Sequence, residues 1–536
     1  MLGAALGLAL PWQFVPIMLT FLLLAGTGLA TRALARQALP EGAATLAGCA
    51  ALFSGYALFT AYERTAFGEL AGGFWIPLLL LFALRGCNPG GVLWRRAFDG
   101  STGPLALVVA GCWLSNVPVG VMGCYLLAAV ALAAAVLVRS WAPVLRAGVG
   151  AALGTALAGL FLLPAAWEQR WVDVRQAIDD PGLLIENSWL FARHADPLLV
   201  DHDIELRKVS IIAISMIAVA LGGLLVCWGR GALIGHGFSR AVSEPNKDAA
   251  LAAEGMQTAE EAMGHRWWIP LALIPLAILF LQFPVSLPAW NLLPKMRFLQ
   301  FPWRWLVALE APMAIFFVAA VWPRRSWLRA ALVMVCAVFF LGATVYAGRT
   351  FFQVCDDEDN VLAMAAVYRG GAGFQGYGEY APPGADNSLV ATSLPDACLV
   401  SDPAVELGAP PDGVEADDAI PAWNAAQETC EATLNWQFDQ PEHRDLRGAV
   451  SHAGFLILRL RSYPAWRVAV NGIPIISMPR RDDGLMAVPV PQGEVEMTVD
   501  WTTTPDAVAG RWLSALAVLL LTGLWCLERR LNRPRL

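Results

Sequence analysis

Residues 455–472 contain two short runs, Phe455-Leu456-Ile457-Leu458-Arg459-Leu460 and Trp466-Arg467-Val468-Ala469-Val470, closed by Asn471-Gly472. Side chains alternate across a strand, so runs of this length and residue type read as half-buried strands. Asn-Gly is the dipeptide that joins two strands most tightly. Pro474-Ile475-Ile476, Leu485-Met486-Ala487-Val488-Pro489-Val490 and Val495-Glu496-Met497-Thr498-Val499-Asp500-Trp501 extend the pattern to an antiparallel, sandwich-like domain. These strands end a polar segment, about 350–506, and an apolar stretch at about 509–527 follows.

Everything upstream reads differently. Hydrophobic residues make up 57% of the 536 and charged residues 15%, where a soluble domain carries about a quarter charged. The apolar excess is bunched into stretches near the ~20 residues that cross ~30 Å of hydrocarbon. Candidate spans are about 12–31, 42–61, 67–84, 103–115, 118–138, 147–166, 209–228, 267–283, 304–322, 327–347 and 509–527, with Ser115-Asn116-Val117-Pro118 splitting one long stretch into two short helices. The net charge of −7 leaves no electrostatic footprint for nucleic acid. The expected architecture is a polytopic α-helical membrane protein of about 11 spans, with the β-sandwich-like domain before the last span. Its divisions are a helical core at 1–348, the β-rich domain at 349–508, and a final helix with a basic tail at 509–536.

Arginine sets the expected orientation, because cationic loops stay on the cytoplasmic side. Arg32 and Arg36, then Arg85, Arg95 and Arg96, then Arg139 and Arg146, then Arg324, Arg325 and Arg329, and finally arginines 529, 530, 533 and 535 fall in alternate loops. The β domain is then extracytoplasmic, with loops 62–67, 167–208 and 284–303, and the C-terminus is cytoplasmic. This alternation starts Met1 outside with no basic n-region. It is explained if residues precede Met1, including a span running outward. The loop at 229–266 is acidic, alanine-rich and linker-like.

Three regions are chemical candidates. Tyr62-Glu63-Arg64-Thr65-Ala66-Phe67-Gly68-Glu69 places three charges at the mouth of a span, where charge is expensive and marks substrate paths. Glu63 and Arg64 also read as a solvated pair. Glu69, set into an apolar helix, suits a hydroxyl, a metal or an arginine. The second region is Pro294-Lys295-Met296-Arg297-Phe298-Leu299-Gln300-Phe301-Pro302-Trp303-Arg304-Trp305. Lys295, Arg297 and Arg304 stand among aromatics on a side where positive charge is depleted, and guanidinium forks match phosphate oxygens. The bland alternative is snorkelling cations in an aromatic belt. The third is the mixed-charge loop with Asp173, Arg175, Asp179, Asp180, Glu186, His194, Asp196, Asp201, His202 and Asp203, whose spacing matches no compact metal motif. Asn116 either lines the same cavity or caps a helix. Ten cysteines form no CxxC pair; six lie in or beside apolar spans, and one disulfide among Cys355, Cys398 and Cys430 is open to an extracytoplasmic domain.

Tyr62-Glu63-Arg64 with Glu69 and Pro77 resembles the bacterial membrane proteins catalogued as "6-pyruvoyl-tetrahydropterin synthase-related". Leu114-Ser115-Asn116, Leu163-Pro164-Ala165 and Gln300-Phe301-Pro302-Trp303-Arg304 carry the same likeness. Tyr463-Pro464-Ala465-Trp466-Arg467-Val468 and Asp483-Gly484-Leu485 are similar to the tail domain of that group and of related glycosyltransferase-like proteins. Pterin chemistry is not implied, since the six histidines are dispersed without an HxH. The resemblance implies the GT-C superfamily, whose polytopic enzymes transfer sugars from polyprenyl-phosphate carriers outside the cytoplasm. It places the catalytic acid in a first extracytoplasmic loop that has no counterpart here, so that acid is expected upstream of Met1, with Glu63 and Glu69 as candidates within the chain. Arg64, Asn116, Lys295, Arg297, Gln300 and Arg304 are the expected lipid-phosphate contacts. No resident cofactor is expected, a divalent metal being left open. The partners are membrane lipid and the polyprenyl-phosphate sugar. The alternative is a non-enzymatic transporter or assembly factor for cell-surface polysaccharide.

Overall fold

The structure, a computed structural model, describes residues 2–85, 101–174, 181–229, 268–351, 360–363, 380–385, 397–404, 435–440 and 442–531. Arg95, Arg96, Arg175, Asp179, Asp180, the 230–267 linker, Cys355, Cys430 and arginines 533 and 535 lie outside these residues. The chain forms two compact units. One comprises Met1–Leu162, Pro181–Val354 and Arg511–Leu536; the other comprises Leu163–Asp180 and Cys355–Gly510. The second unit therefore includes a segment just after residue 162 that the sequence assigned to the helical core. Its backbone is tied in by Asp173 N–H, which donates to Ala381 C=O at 2.8 Å.

The described helices are α1 (Leu2–Gly7), α2 (Val15–Ala35), α3 (Glu41–Leu52), α4 (Gly55–Tyr62), α5 (Phe67–Arg85), α6 (Thr102–Ser115), α7 (Val117–Val138), α8 (Ala142–Leu157) and α9 (Gly159–Glu168). They continue as α10 (Val200–Gly229), α11 (Trp268–Leu281), α12 (Leu287–Leu292), α13 (Leu306–Val321), α14 (Ser326–Thr350) and α15 (Pro505–Leu531). Among the described residues seven helices are long and apolar enough to cross a membrane, or up to 10 if three bent pairs each count as one span. This is the architecture of a polytopic, mostly helical membrane protein with a C-terminal antiparallel sheet region. The expected span at 103–115 is the 14-residue α6, about 21 Å at 1.5 Å per residue and short of the bilayer core.

Two bent pairs occupy the spans expected at 42–61 and 147–166, and the third adds a bend just after the span expected at 267–283; each bend has a local cause. Between α3 and α4, bent by 41°, Ser54 leaves helical geometry and its hydroxyl caps Ala57 N–H at 3.1 Å. At the 76° bend after α8, Ser514 Oγ enters the hydrogen-bond ladder, accepting from Leu160 N–H at 2.8 Å and donating to Leu157 C=O at 2.9 Å. After α11 the chain turns by 103° at Phe283-Pro284, where the proline cannot continue the helix.

Within the helical unit α13 is the centre. Thirteen of its 16 residues are buried, and it packs against α10, α3, α5, α11 and α4. By contrast, α14 buries only Cys336 and Ala347 of its 25 residues, the face expected for contact with lipid. Arg146, read from the sequence as a loop arginine, is inside α8 and 1% exposed; its guanidinium donates to Ala83 C=O near the end of α5 at 2.5 Å. That end of α5 carries negative partial charge, which a cation complements.

The second unit holds eight described strands in two antiparallel sheets: β1 (Ala397–Val400), β4 (Gly454–Arg461) and β7 (Leu485–Val490) in the order β1-β4-β7, and β2 (Asn435–Gln440), β3 (His443–Val450), β8 (Gly493–Trp501), β5 (Trp466–Val470) and β6 (Ile473–Ile475) in that order. Leu456, Leu458, Met486 and Val488 from the first sheet share one core with Leu446, Val468, Met497 and Val499 from the second, which makes a sandwich. Asn471 and Gly472 join β5 to β6 with φ of 51° and 75°, the left-handed pair the tight turn requires. Asp483-Gly484-Leu485 is a buried brace: Arg481 donates to the Asp483 carboxylate at 2.5 to 3.2 Å, Asp483 Oδ1 accepts from Leu485 N–H at 2.9 Å, and Gly484 has φ 70°. Cys398 in β1 is disulfide-bonded.

Candidate functional site

Glu69 lies in the first turn of α5, 3% exposed, and is the centre of the site. Arg64, in the connection that precedes α5, donates from Nη1 to Glu69 Oε2 at 2.6 Å. Tyr56, on α4, donates its hydroxyl to Glu69 Oε1. Arg304 arrives from a segment distant in the sequence, with Nε 3.6 Å from the same Oε2. The carboxylate thus takes both the hydroxyl and the arginine that its position suggested, and a second arginine as well. Two guanidiniums facing one carboxylate give the cluster an excess of positive charge.

Aromatic rings hold these cations in place. Phe301 and Trp303 stack with centroids 4.8 Å apart and planes 13° from parallel. The Arg64 guanidinium lies 4.6 Å from the Trp303 ring and that of Arg304 lies 5.0 Å from Phe301. A guanidinium over an aromatic face gains electrostatically, most where water is displaced. Trp303 also meets Tyr56 and Phe59 edge-on, which ties the platform to α4.

The backbone that delivers Arg304 is strained. Gln300 has φ 62° and ψ −47°, and Phe301 N–H reaches Leu299 C=O at 2.6 Å, a three-residue γ-turn of the rare positive-φ kind. Lys295, five residues earlier, is also left-handed at φ 63°. Arg304 Nη1 donates to the same Leu299 carbonyl at 3.0 Å, so its guanidinium fastens the turn that positions it. Strain of this kind persists where surrounding structure over-determines the conformation.

Other expected site residues go elsewhere. Glu63 is paired with Lys208 Nζ at 2.7 Å, not with Arg64. Arg297 pairs with Glu186 and donates from Nε to Asn291 Oδ1 at 2.8 Å, whereas Arg304 faces Glu69. Lys295 Nζ lies 4.6 Å from the Phe298 ring. Asn116 is the N-cap of α7, its Oδ1 accepting from Val119 N–H at 3.2 Å. It also touches the site's edge, since a Cβ on Gly68 would meet Asn116 Nδ2 at 2.9 Å. In the mixed-charge loop His194 Nδ1 faces Asp203 at 2.6 Å and Asp196 caps a short turn through Leu198 N–H. Among the described residues no group of three His, Cys, Asp or Glu is arranged to hold a metal.

Two buried residues, one in the site and one outside it, escaped the sequence reading. Tyr56 is one tyrosine in an apolar run, 13 residues before Glu69, and nothing local marks the pairing. Glu310 is the sole carboxylate within α13 and is 2% exposed; an ionisable residue mid-span was the signal that could have found it.

Beside the re-entering loop an apolar cavity of ≈ 290 Å³ is lined by Leu126 and Val130 of α7, Leu273 and Ile278 of α11, Met296, and Trp305. Trp305 adjoins Arg304, so an apolar slot and a cationic cluster are served by consecutive residues. Compared with known protein families, curated proteins and solved structures, the chain matches none.

Proposed function

We propose that this protein binds a polyprenyl-phosphate-linked sugar through Arg64 and Arg304 and transfers the sugar at the extracytoplasmic face, in the manner of a GT-C-type glycosyltransferase. The observation that carries the reading is the pair of half-buried guanidiniums on Glu69 Oε2, 2.6 and 3.6 Å away, with Trp305, the residue after Arg304, lining an apolar slot. A lipid phosphate has both halves of that complement, an anionic head and an apolar tail. In the transfer, the bond from the anomeric carbon to the phosphate oxygen breaks and the acceptor oxygen bonds that carbon while giving up its proton. The leaving polyprenyl phosphate gains negative charge. Guanidiniums already aimed at that position stabilise the developing charge without reorganising. The disulfide at Cys398 supports an extracytoplasmic β unit, since such bonds persist in oxidising compartments.

Glu63 and Glu69 are each engaged by a cation, and neither is assigned as the base that takes the acceptor's proton. This favours a second reading, in which the site holds a lipid phosphate for transport or assembly of surface polysaccharide without chemistry. Reconstituted protein supplied with polyprenyl-phosphate sugars separates the two. Release of free polyprenyl phosphate, lost in Arg304→Ala, supports transfer; stoichiometric binding without release supports the carrier role.

A further inference from the structure

The Glu310 carboxyl lies inside the helical unit, and the site described above does not use it. It is 2% exposed and, among the described residues, forms no ion pair. Ser54 Oγ donates to its Oε1 at 3.1 Å. Ser54 stands at the break between α3 and α4, where the span bends by 41° and backbone leaves the helix. On the other side, a Cβ on Gly73 would lie 2.9 Å from Glu310 Oε2 and 2.8 Å from Thr27 Oγ1, so Gly73 makes room for both oxygens. The Gly73 carbonyl lacks its usual helical donor, because the residue four positions on is Pro77. Among the described residues the carboxyl therefore has the Ser54 hydroxyl at one oxygen and Gly73 packed close to the other, and no cation is paired with it.

The charged and titratable groups on the packed elements reinforce this. Along α5 the nearest is Glu69, one helical turn from Gly73 and of the same sign. α4 contributes Tyr56, whose hydroxyl is given to Glu69, and Tyr62 at its last residue, while α2, which carries Thr27, has Arg32 in its last turn, bonded to Glu41 and Thr45. α3 carries Glu41, at its first residue, and Cys49; α11 carries no ionisable side chain; and α10 has its acidic and basic residues within Asp201–Lys208, with Cys227 near its other end. An unpaired charge in such a place is costly, whereas a neutral acid both donates and accepts. Ionisable residues inside membrane spans mark ion and proton paths, and broken helices expose the backbone that serves them.

We infer that Glu310 is a proton-binding site in the membrane core, one turn deeper along α5 than Glu69, exchanging its proton through the α3–α4 break at Ser54. Binding a proton converts Oε2 to a hydroxyl donor facing the region of Gly73 and Thr27, while Oε1 keeps the bond from Ser54. Loss of the proton leaves an anion that the site does not compensate. The inference is independent of any lipid substrate.

The test is labelling of the whole protein in lipid bilayers with dicyclohexylcarbodiimide, an apolar reagent for protonated carboxyls, followed by mass-spectrometric site mapping. The expected result is modification of Glu310 that falls at least tenfold from acid to alkaline pH, is unchanged by sodium, and is lost in Glu310→Gln. Protection by sodium would overturn the inference in favour of a metal-cation site, and pH-independent labelling would overturn proton exchange. Should the reagent fail to reach Glu310, infrared difference spectra across the same pH change decide. A carboxylic-acid carbonyl band that shifts on deuterium exchange and vanishes in Glu310→Gln supports the site; its absence from the unmodified protein refutes it.

Discussion

Arg304 and Glu69 face each other at 3.6 Å, inside ion-pair range and beyond a hydrogen bond, although Arg304 Nε is buried with no hydrogen-bond acceptor among the described residues. An unmade bond of a buried charged donor is expensive. An anionic oxygen placed between them and Arg64 would satisfy it, which is why the arrangement reads as a receptor for phosphate.

The first prediction concerns the carboxylate. Glu69→Ala leaves two half-buried guanidiniums without their shared carboxylate, and removing one partner of a buried pair costs up to about 3–5 kcal/mol. Glu69→Gln, which keeps the shape and one acceptor, costs less. Thermal unfolding in detergent should rank the melting temperatures as unmodified, then Gln, then Ala; equal values for the two variants would mean that the charge of Glu69 is not what holds the arginines.

Gly73→Ala tests the close approach of α5 to α2 and α13. Its methyl group would lie 2.8 Å from Thr27 Oγ1 and 2.9 Å from Glu310 Oε2, and overpacking of this kind costs about 1–3 kcal/mol. Thr27→Ala in the same chain should recover part of the loss, a coupling that distant sites do not show. Strict additivity would refute the proximity.

In the β unit His443 and Asp500 are cross-strand partners on β3 and β8, and the ring Nδ1 lies 2.5 Å from the carboxylate. This hydrogen bond, with help from Asp445, holds the His443 pKa above its ordinary value. A raised folded-state value means that the stabilising contribution is complete below about 6.5, the unfolded histidine value, and is lost as pH rises through the folded value. A histidine NMR titration of the protein should show His443 titrating above an ordinary histidine and moving down in Asp500→Asn. No movement would assign the shift to another cause.

Sidedness is tested by a cysteine at Gln492, an exposed position before β8. In intact cells an impermeant thiol reagent should label Gln492→Cys above the level of the unmodified chain. Protection until lysis would reverse the orientation proposed for the β unit.

The sequence revealed much of this fold because its signals were local. Asn471-Gly472 specifies its turn from two adjacent residues, and spans such as 118–138 announce themselves by length and hydropathy. What stayed hidden depends on residues distant in the chain. Ser514 bends the chain between α8 and α9 from about 350 residues away, and no window over 147–166 contains that information. Arg297 and Arg304 look alike in the sequence, seven residues apart among aromatics, yet Glu186 takes the first and Glu69 the second. Glu69 and Arg64 were readable as candidates because charge at the mouth of a span is conspicuous. Tyr56 and Glu310 became visible only when α4, α5 and α13 were packed together.

The central claim is that Arg64 and Arg304 receive a lipid phosphate. Its most direct test is native mass spectrometry of the whole protein, titrated with polyprenyl phosphate and, in parallel, with the uncharged polyprenol. The account predicts that the phosphate binds at least tenfold more tightly than the alcohol, and that Arg304→Ala and Arg64→Ala each remove most of that difference while the protein stays folded in its micelle. Equal affinity for phosphate and alcohol, or full preference retained in both variants, would contradict it.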